Sequence, residues 1–394
     1  MKKRINKRPW EFWLPGALSG EQVKVLYRLG LIRLRGPGSL EIGACSIDLS
    51  LSGQGFQMKK GSMKPYRDRS YDSLLKNRAL ARPLSQSVDG SFLLRRKRTY
   101  VFKLREQLDL RIAEAGIYGQ ATAKSSVGRV DVLARLIVDG MDRYECFDPE
   151  HLQKGSGKLY LEITPITFKI KVRPGLCMTQ LRLFYGDPQD SEIPGVEICK
   201  TVLGPGSNDR VLTLNLGPEK IGGIDVSAFC TKINKSSLSP IPLWEKKTEL
   251  PWKYWRFAKL DRQKRLQIRG GRFYILRSKE RLYVPPGIAI YCKASDETIG
   301  EMRIHYAGFV HPGFGLKRRD RLRGTPLIFE VRDHQVNATL RDGEKMANII
   351  FYRMSRPDSE INKSYNDQNL KLSNIFKKWP RKLAIDGDGN VEPR

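Results

Sequence analysis

Short runs of alternating apolar and polar residues dominate this chain, and each run predicts a β-strand. The clearest runs are residues 158–163, 167–172, 272–276, 281–284 and 325–331. Glycine and proline separate the runs, a pattern typical of sandwiches, barrels and jelly rolls. Helical spacing is clearest from residue 20 to residue 32, where apolar residues recur every three or four positions. The pattern predicts a mainly all-β fold with a few short helices.

The chain contains two related halves. Leu159-Tyr-Leu-Glu162 is followed by an Arg-Pro-Gly turn and Gln180, and Leu327-Ile-Phe-Glu330 is followed by an Arg-Asp-Gly turn and Asn348. The offset from Glu162 to Glu330 equals the offset from Gln180 to Asn348. We therefore predict a basic N-terminal arm, a domain carrying the catalytic motif, a second, degenerate domain, and a polar C-terminal tail or lid. These regions are residues 1–15, 16–190, 200–356 and 357–394.

Composition narrows the functional classes. Lys and Arg number 71 against 42 Asp and Glu, and the net charge of +29 points to an anionic partner. No apolar run approaches the roughly 18 residues of a membrane span, so we predict no membrane partner. The N-terminus lacks the apolar segment of a signal peptide. None of the six cysteines forms a C-x-x-C pair, so the chain is predicted to be cytoplasmic with reduced thiols.

The loop from Lys124 to Arg129 is the first candidate for chemistry. It places the hydroxyls of Ser125 and Ser126 between two cations, and such a loop can hold a chain of phosphates. A solvated turn is the alternative interpretation. In the second half, Ala294 stands at the position of Ser125 and a threonine at that of Arg129. The first half is therefore the better candidate for the active site.

Glu162 is the second candidate, because it interrupts an apolar strand. Alternation places it on the face opposite Leu161 and Ile163, where it either meets solvent or serves as a general acid and base. The four histidines are scattered, and the zinc nucleoside-deaminase signature is absent. Basic and aromatic residues alternate at 252–256, which indicates either a nucleic-acid surface or strand aromatics beside solvated loops.

Three segments of the first half resemble dCTP deaminase in its longer, two-domain bacterial form: residues 44–49, 124–132 and 157–168. The second half agrees through residues 305–315, 329–332 and 342–346. The similarity runs from about residue 16 to about residue 354, and its motifs follow the family's order. The resemblance implies tandem dUTPase-like domains of β-clip or jelly-roll-like form. It also implies a homo-oligomer, with a trimer favoured.

The resemblance further implies hydrolysis of the 4-amino group of dCTP, which yields dUTP for thymidylate synthesis together with ammonia. Mg²⁺ would accompany the triphosphate, and neither zinc nor any protein metal ligand is implied. Inhibition by dTTP is left open. The residues matching the family's catalytic group are Glu162, Ser125 and Arg129. Those matching its substrate-binding group are Lys124, Ser126, Asp148 and Gln180.

The chemistry of deamination is consistent with these residues. Water must attack C4 of the ring and lose a proton, while N3 and then the amine gain protons. One carboxylate can make both transfers, with Ser125 holding it or the water and Arg129 stabilising charge. Glu162→Gln is therefore expected to lower turnover by at least ~10²-fold.

Some features depart from the family's pattern. His311 stands before Pro312, where an aspartate is expected. Glu330 is expected to be structural, because its half lacks the serine and the arginine. Whether the second domain or a second chain completes the pocket stays open at this point.

Two other functions are alternatives to the deamination of dCTP as the sole activity. One is a dUTPase or a bifunctional deaminase–dUTPase, which the phosphate-binding loop would serve equally well. The other is a decayed enzyme that binds nucleic acid through its basic residues. Much of the charge lies at 95–98, 317–323, 377–382 and in the N-terminal arm, where we expect a solvated surface with incidental nucleic-acid affinity.

Overall fold

The computed structural model describes residues 8–66, 69–232, 238–295, 302–304, 308–316, 324–333, 337–357 and 369–394, without the side chains of residues 302–304 and 333. The basic run 317–323, part of the motif at 305–315 and residues 1–7 of the N-terminal arm lie outside the described residues.

The first half is built from strands joined by short helices. Its strands are β1 (Gly16–Ala17), β2 (Ile32–Leu34), β3 (Glu41–Ile42), β4 (Ile47–Met58), β5 (Ala81–Pro83), β6 (Phe92–Leu94), β7 (Tyr100–Leu108), β8 (Ile117–Ala123), β9 (Val132–Val138), β10 (Cys146–Phe147), β11 (Lys158–Pro165), β12 (Ile170–Val172) and β13 (Cys177–Tyr185). Its helices are α1 (Gly20–Arg28), α2 (Tyr71–Lys76), α3 (Arg111–Glu114), α4 (Ser125–Gly128) and α5 (Pro149–Leu152), with 3₁₀ turns at Pro9–Phe12 and Pro188–Ser191. The helix α6 (Glu197–Leu203) follows and packs in the core of the second half.

The second half is also built mainly from strands. Its strands are β14 (Val211–Thr213), β15 (Glu219–Ile221), β16 (Ile224–Val226), β17 (Phe229–Thr231), β18 (Ile241–Pro242), β19 (Trp255–Phe257), β20 (Leu266–Ile268), β21 (Phe273–Leu282), β22 (Ile288–Ala294), β23 (Met302–Ile304), β24 (Phe309–Val310), β25 (Thr325–Asp333), β26 (Ala338–Leu340), β27 (Lys345–Arg353), β28 (Leu383–Ile385) and β29 (Val391–Pro393). A single helical turn, α7 (Pro251–Tyr254), precedes β19.

The two halves share a strand arrangement. In the first, β7, β11 and β9 lie side by side, and β8 pairs with β13. In the second, β21, β25 and β23 lie side by side, and β22 pairs with β27. The prediction of a mainly β, dUTPase-like fold is confirmed. The runs 272–276 and 281–284 join as the single strand β21, whose register shifts between Arg277 and Arg281.

The strands β11 and β25 each have one face in the core of their own half and an opposite face that carries a glutamate. On β11, Leu159, Leu161 and Ile163 belong to the core of the first half, and Glu162 points the other way. On β25, residues 327, 329 and 331 belong to the core of the second half. Ile328 packs with the first half's core instead, so the face that carries Glu330 is turned toward the first half.

The C-terminal residues 369–394, predicted as part of a polar tail or lid, contribute apolar side chains to the interior. Leu370, Ile375 and Phe376 are buried, and Phe376 packs against Tyr254 and Trp255. The strands β28 and β29 then pair as a hairpin. Phe376 therefore packs beside the aromatic residues of 252–256, and the burial of Tyr254 and Trp255 leaves those two rings no free face for stacking on nucleic acid.

Candidate active site

The loop from Lys124 to Arg129 is placed by the end of β8. Lys124 follows the strand as the N-cap of α4, residues 125–128 make that single turn, and Arg129 follows as its C-cap. Asp131 then turns the chain into β9 with a φ of 59°, a conformation that aspartate tolerates better than most residues. The hydroxyls and cations are thus held on a short turn between two strands of one sheet.

Asp48 of β4 joins two of the predicted substrate-binding residues. Its carboxylate pairs with the ammonium of Lys124 and accepts a hydrogen bond from Gln180 Nε2 at 2.9 Å. Burial alone would lower the pKa of Lys124, but the charge and hydrogen bond of Asp48 outweigh it, so the pKa is raised. Lys124 is therefore a fixed cation. Asp48 was not singled out by the sequence analysis, although it lies in the segment 44–49.

Arg129 faces a carboxylate of the second half. Its Nε lies 4.0 Å from Oε1 of Glu330, and the two side chains are only 7% and 3% exposed. Because a buried charge without a counterion is costly, two side chains of opposite charge stabilise each other in such a place. The structure thus brings Arg129 together with Glu330, which the sequence analysis had treated as structural.

A second buried ion pair holds β25 in this position. Arg332, two residues after Glu330, donates from Nε to Asp131 at 3.0 Å, and Thr167 also donates to that carboxylate. Burial, reinforced by the charge of Arg96, lowers the pKa of Arg332 to about 10. Since Glu330 and Arg332 share one face of β25, this contact fixes the glutamate beside α4.

The C-terminal segment lies over the same loop. Ser373 donates its hydroxyl to the carbonyl of Ser126 at 2.9 Å, and Arg129 donates to the carbonyl of Lys371 at 3.4 Å. A nucleotide that reaches Ser126 and Arg129 must therefore pass or displace residues 371–373. This position is consistent with a lid, one of the two roles predicted for the region.

Glu162 occupies a different environment. It is 1% exposed, which rules out the solvent-facing interpretation. It accepts hydrogen bonds from Ser62 at 3.1 Å, from Arg135 Nε at 3.1 Å and from Tyr144 at 3.0 Å. Burial and the charge of Glu162 raise the pKa of the Tyr144 phenol. In the described part of the chain, none of the hydrogen-bond partners of Glu162 comes from the loop 124–129.

Asp148 caps the helix α5. It accepts from the backbone of His151 at 2.9 Å, contacts the His151 ring at 2.7 Å and pairs with Arg143 at 3.0 Å. Burial alone would raise the pKa of Asp148, but these contacts outweigh it and lower the pKa. Neither Lys124 nor Gln180 is among these partners.

His311 of the second half stands before a proline, as Asp148 does in the first half. Its side chain lies against the first half. Its Nδ1 is 3.3 Å from the Sγ of Cys45. Burial, followed by the nearby charges of Arg182 and Lys124, lowers the pKa of His311 to about 3. His311 is therefore a neutral side chain in the neighbourhood of Lys124, although the sequence analysis noted it only as a departure from the family.

Among the described residues, no group of three or more His, Cys, Asp or Glu side chains converges to form a metal site. The helices within those ranges are too short or too polar to cross a membrane.

Comparison with known proteins matches both halves of the chain. Residues 14–187 match the 2'-deoxycytidine 5'-triphosphate deaminase N-terminal domain, and residues 219–376 match the C-terminal domain of the same family. A crystal structure of 2'-deoxycytidine 5'-triphosphate deaminase from Agrobacterium tumefaciens superposes with a TM-score of 0.75 at 25% identity. That match covers 87% of this chain and 99% of the other. A search of curated protein sequences found no match.

Proposed function

Because the chain belongs to the 2'-deoxycytidine 5'-triphosphate deaminase family, we propose that it hydrolyses the 4-amino group of dCTP to give dUTP and ammonia. The dUTP would supply thymidylate synthesis. The observation that supports this most directly is the loop of Ser125 and Arg129, whose guanidinium lies 4.0 Å from a buried carboxylate. Lys124 and Gln180, joined through Asp48, provide polar groups beside that loop.

The proposed mechanism needs one glutamate as general base and then general acid. The carboxylate takes a proton from water as the water oxygen bonds to C4, and it returns protons to N3 and the departing amine. Arg129 stabilises the ionised carboxylate, and the Ser125 hydroxyl orients the water or the glutamate. Glu162, the glutamate predicted from the motif, and Glu330 occupy equivalent strand positions, and both have the chemistry for this role.

We propose that no zinc takes part and that Mg²⁺ enters with the substrate. Mg²⁺ requires about six oxygen ligands and commonly takes them from phosphates and water. The chain's contribution is then to bind the nucleotide's phosphates, with Lys124 and Ser126 as the proposed contacts.

The test is incubation of the purified protein with dCTP and Mg²⁺, with ammonia and nucleotide products measured separately. Equal amounts of ammonia and dUTP are expected. Release of pyrophosphate together with dUMP would show the bifunctional activity. Thermal shifts with dCTP, dUTP and dTTP provide a second readout, since a ligand that binds only the folded protein stabilises it. No ammonia and no shift, together with salt-sensitive binding of polynucleotide, would favour the nucleic-acid-binding alternative.

A further inference from the structure

The outer faces of β11 and β25 are covered by different parts of the chain. The β25 face, which carries Ile328, Glu330 and Arg332, packs against the first half through Arg129 and Asp131. The β11 face, which carries Glu162, is covered by residues 59–66 and 69–80 of its own half, which we call the capping segment. The face of β25 therefore contacts the other domain, whereas the equivalent face of β11 is covered by its own domain.

The capping segment is firmly attached to the β11 face. Asp72 of α2 pairs with Lys103 and with Lys158, each at 2.7 Å. The backbone of Tyr71 donates to Asp139 at 2.7 Å, and its ring packs on Tyr160 with centroids 5.2 Å apart. Apolar contacts extend this attachment, because Tyr71, Tyr160 and their neighbours form one buried cluster.

The segment also supplies a direct partner to Glu162, through the hydroxyl of Ser62. With Arg135 and Tyr144 on its other sides, the carboxylate accepts from three side chains that belong to its own half. A loop from another domain or another chain would have to displace the capping segment to reach this glutamate. Glu330, by contrast, already lies beside Arg129 of the loop 124–129.

From this asymmetry, and resting on the proposed deamination of dCTP, we propose that the reaction centre is assembled within one chain and that its general acid and base is Glu330. Ser125 and Arg129 come from the first domain, and Glu330 comes from the second. His311, close to Lys124, brings a further group of the second domain to the same place. Glu162 is then a positioning residue that fixes Arg135, Tyr144 and the capping segment.

The proposed step balances without any further reactant. The Glu330 carboxylate accepts one water proton while the hydroxide oxygen forms its bond to C4, and that proton passes to N3. The second proton of the former water leaves the oxygen as the C4 carbonyl forms and moves through Glu330 to the amine. The C4–N bond breaks, ammonia leaves, and Glu330 is again a carboxylate.

The first test compares Glu330→Gln with Glu162→Gln, because both substitutions remove one carboxylate oxygen from equivalent strands. Glu330→Gln is expected to lower kcat by at least ~10²-fold while dCTP still produces a thermal shift. The fold loss in kcat caused by Glu162→Gln should be at least ~10 times smaller than the loss caused by Glu330→Gln. It should instead reduce the melting temperature, because Arg135 loses its ionic partner. A folded, dCTP-binding Glu162→Gln protein that is as inactive as Glu330→Gln would overturn the assignment.

The second test asks whether the site forms within one chain or between chains. Glu330→Gln and Arg129→Gln chains are unfolded together and refolded as a mixture, with each variant refolded alone as the control. A site within one chain predicts no gain, because every chain lacks one of the two groups. A site between chains predicts recovery of about one quarter of wild-type activity from random pairing of intact halves. Such recovery would refute the inference.

These outcomes separate the inference from the proposed function. Failure of the wild-type protein to release ammonia from dCTP would defeat the function itself. An active wild type with complementing variants would defeat only the assembly within one chain. If Glu330→Gln does not fold, Glu330→Asp replaces it in both tests, and an Asp variant with wild-type kcat would count against Glu330.

Discussion

The ion pair between Arg332 and Asp131 is buried where the two domains meet, and the loss of either partner alone is predicted to be costly. Asp131 is fully buried, and the Arg332 side chain is 9% exposed. Arg332→Met removes the guanidinium and leaves a buried carboxylate that still accepts from Thr167. Breaking a buried pair from one side costs about 3–5 kcal/mol, and the hydroxyl of Thr167 places our expectation near the lower end of that range.

Urea unfolding of the wild type and the variant measures this loss. The control is Arg265→Met, whose partner Asp261 forms an ion pair with side chains 37% and 40% exposed. An exposed pair contributes at most about 1 kcal/mol. The double variant Asp131→Asn with Arg332→Met should recover much of the loss, because no buried charge then lacks its counterion. A loss from Arg332→Met no larger than that of the control would refute the assigned role of this pair.

Two further predictions concern acid stability and the C-terminal segment. His311 cannot bind a proton in the folded state until about pH 3, whereas its unfolded value is near 6.5, so wild-type stability should fall as the pH drops below 6.5. His311→Asn should show a smaller difference between urea midpoints at pH 7 and pH 5, and an equal difference would contradict the burial of a neutral imidazole. Phe376→Ala should cost about 3–5 kcal/mol in urea unfolding, because Phe376 is 4% exposed. Phe12→Ala, at a ring that is 80% exposed, should change stability by less than about 0.5 kcal/mol; equal effects would mean that residues 369–394 are a detachable tail.

The fold was predictable because strands such as β11 and β25 have one face buried in the core of their own half. A buried face forces apolar residues into alternate positions, so the strands β11 and β25 are visible in the sequence. The merging of residues 272–282 into one strand was not predictable. A register shift allows polar residues inside a continuous strand. These residues interrupt the alternating apolar pattern, and in the sequence such an interruption looks like a turn.

The site was only partly predictable, for a geometric reason. The motif around Ser125 and Arg129 predicted one candidate loop, and the structure places its hydroxyls and cations on a single turn, because residues so close in sequence are also close in space. Comparing the two halves position by position pairs Ser125 with Ala294 and Glu162 with Glu330, and so treats each half as a separate site. The contact between Arg129 and Glu330 joins a loop of one half to a strand of the other. No offset within the sequence reveals which faces of two domains pack together.

In the proposed assembly, two different halves serve one site. The first half would provide the loop with Ser125 and Arg129, and the second half would provide the glutamate at 330, which lies beside that loop. Ala294 in place of a serine would then remove no group from the proposed centre, since its hydroxyl would come from the first half. Glu162 has a separate reason to be a glutamate, because Arg135, Tyr144 and Ser62 all donate to it and any uncharged replacement would leave Arg135 without its counterion. A glutamate at position 162 is therefore consistent with either role, and the different partners of the two carboxylates are the basis for proposing Glu330 as the catalytic one.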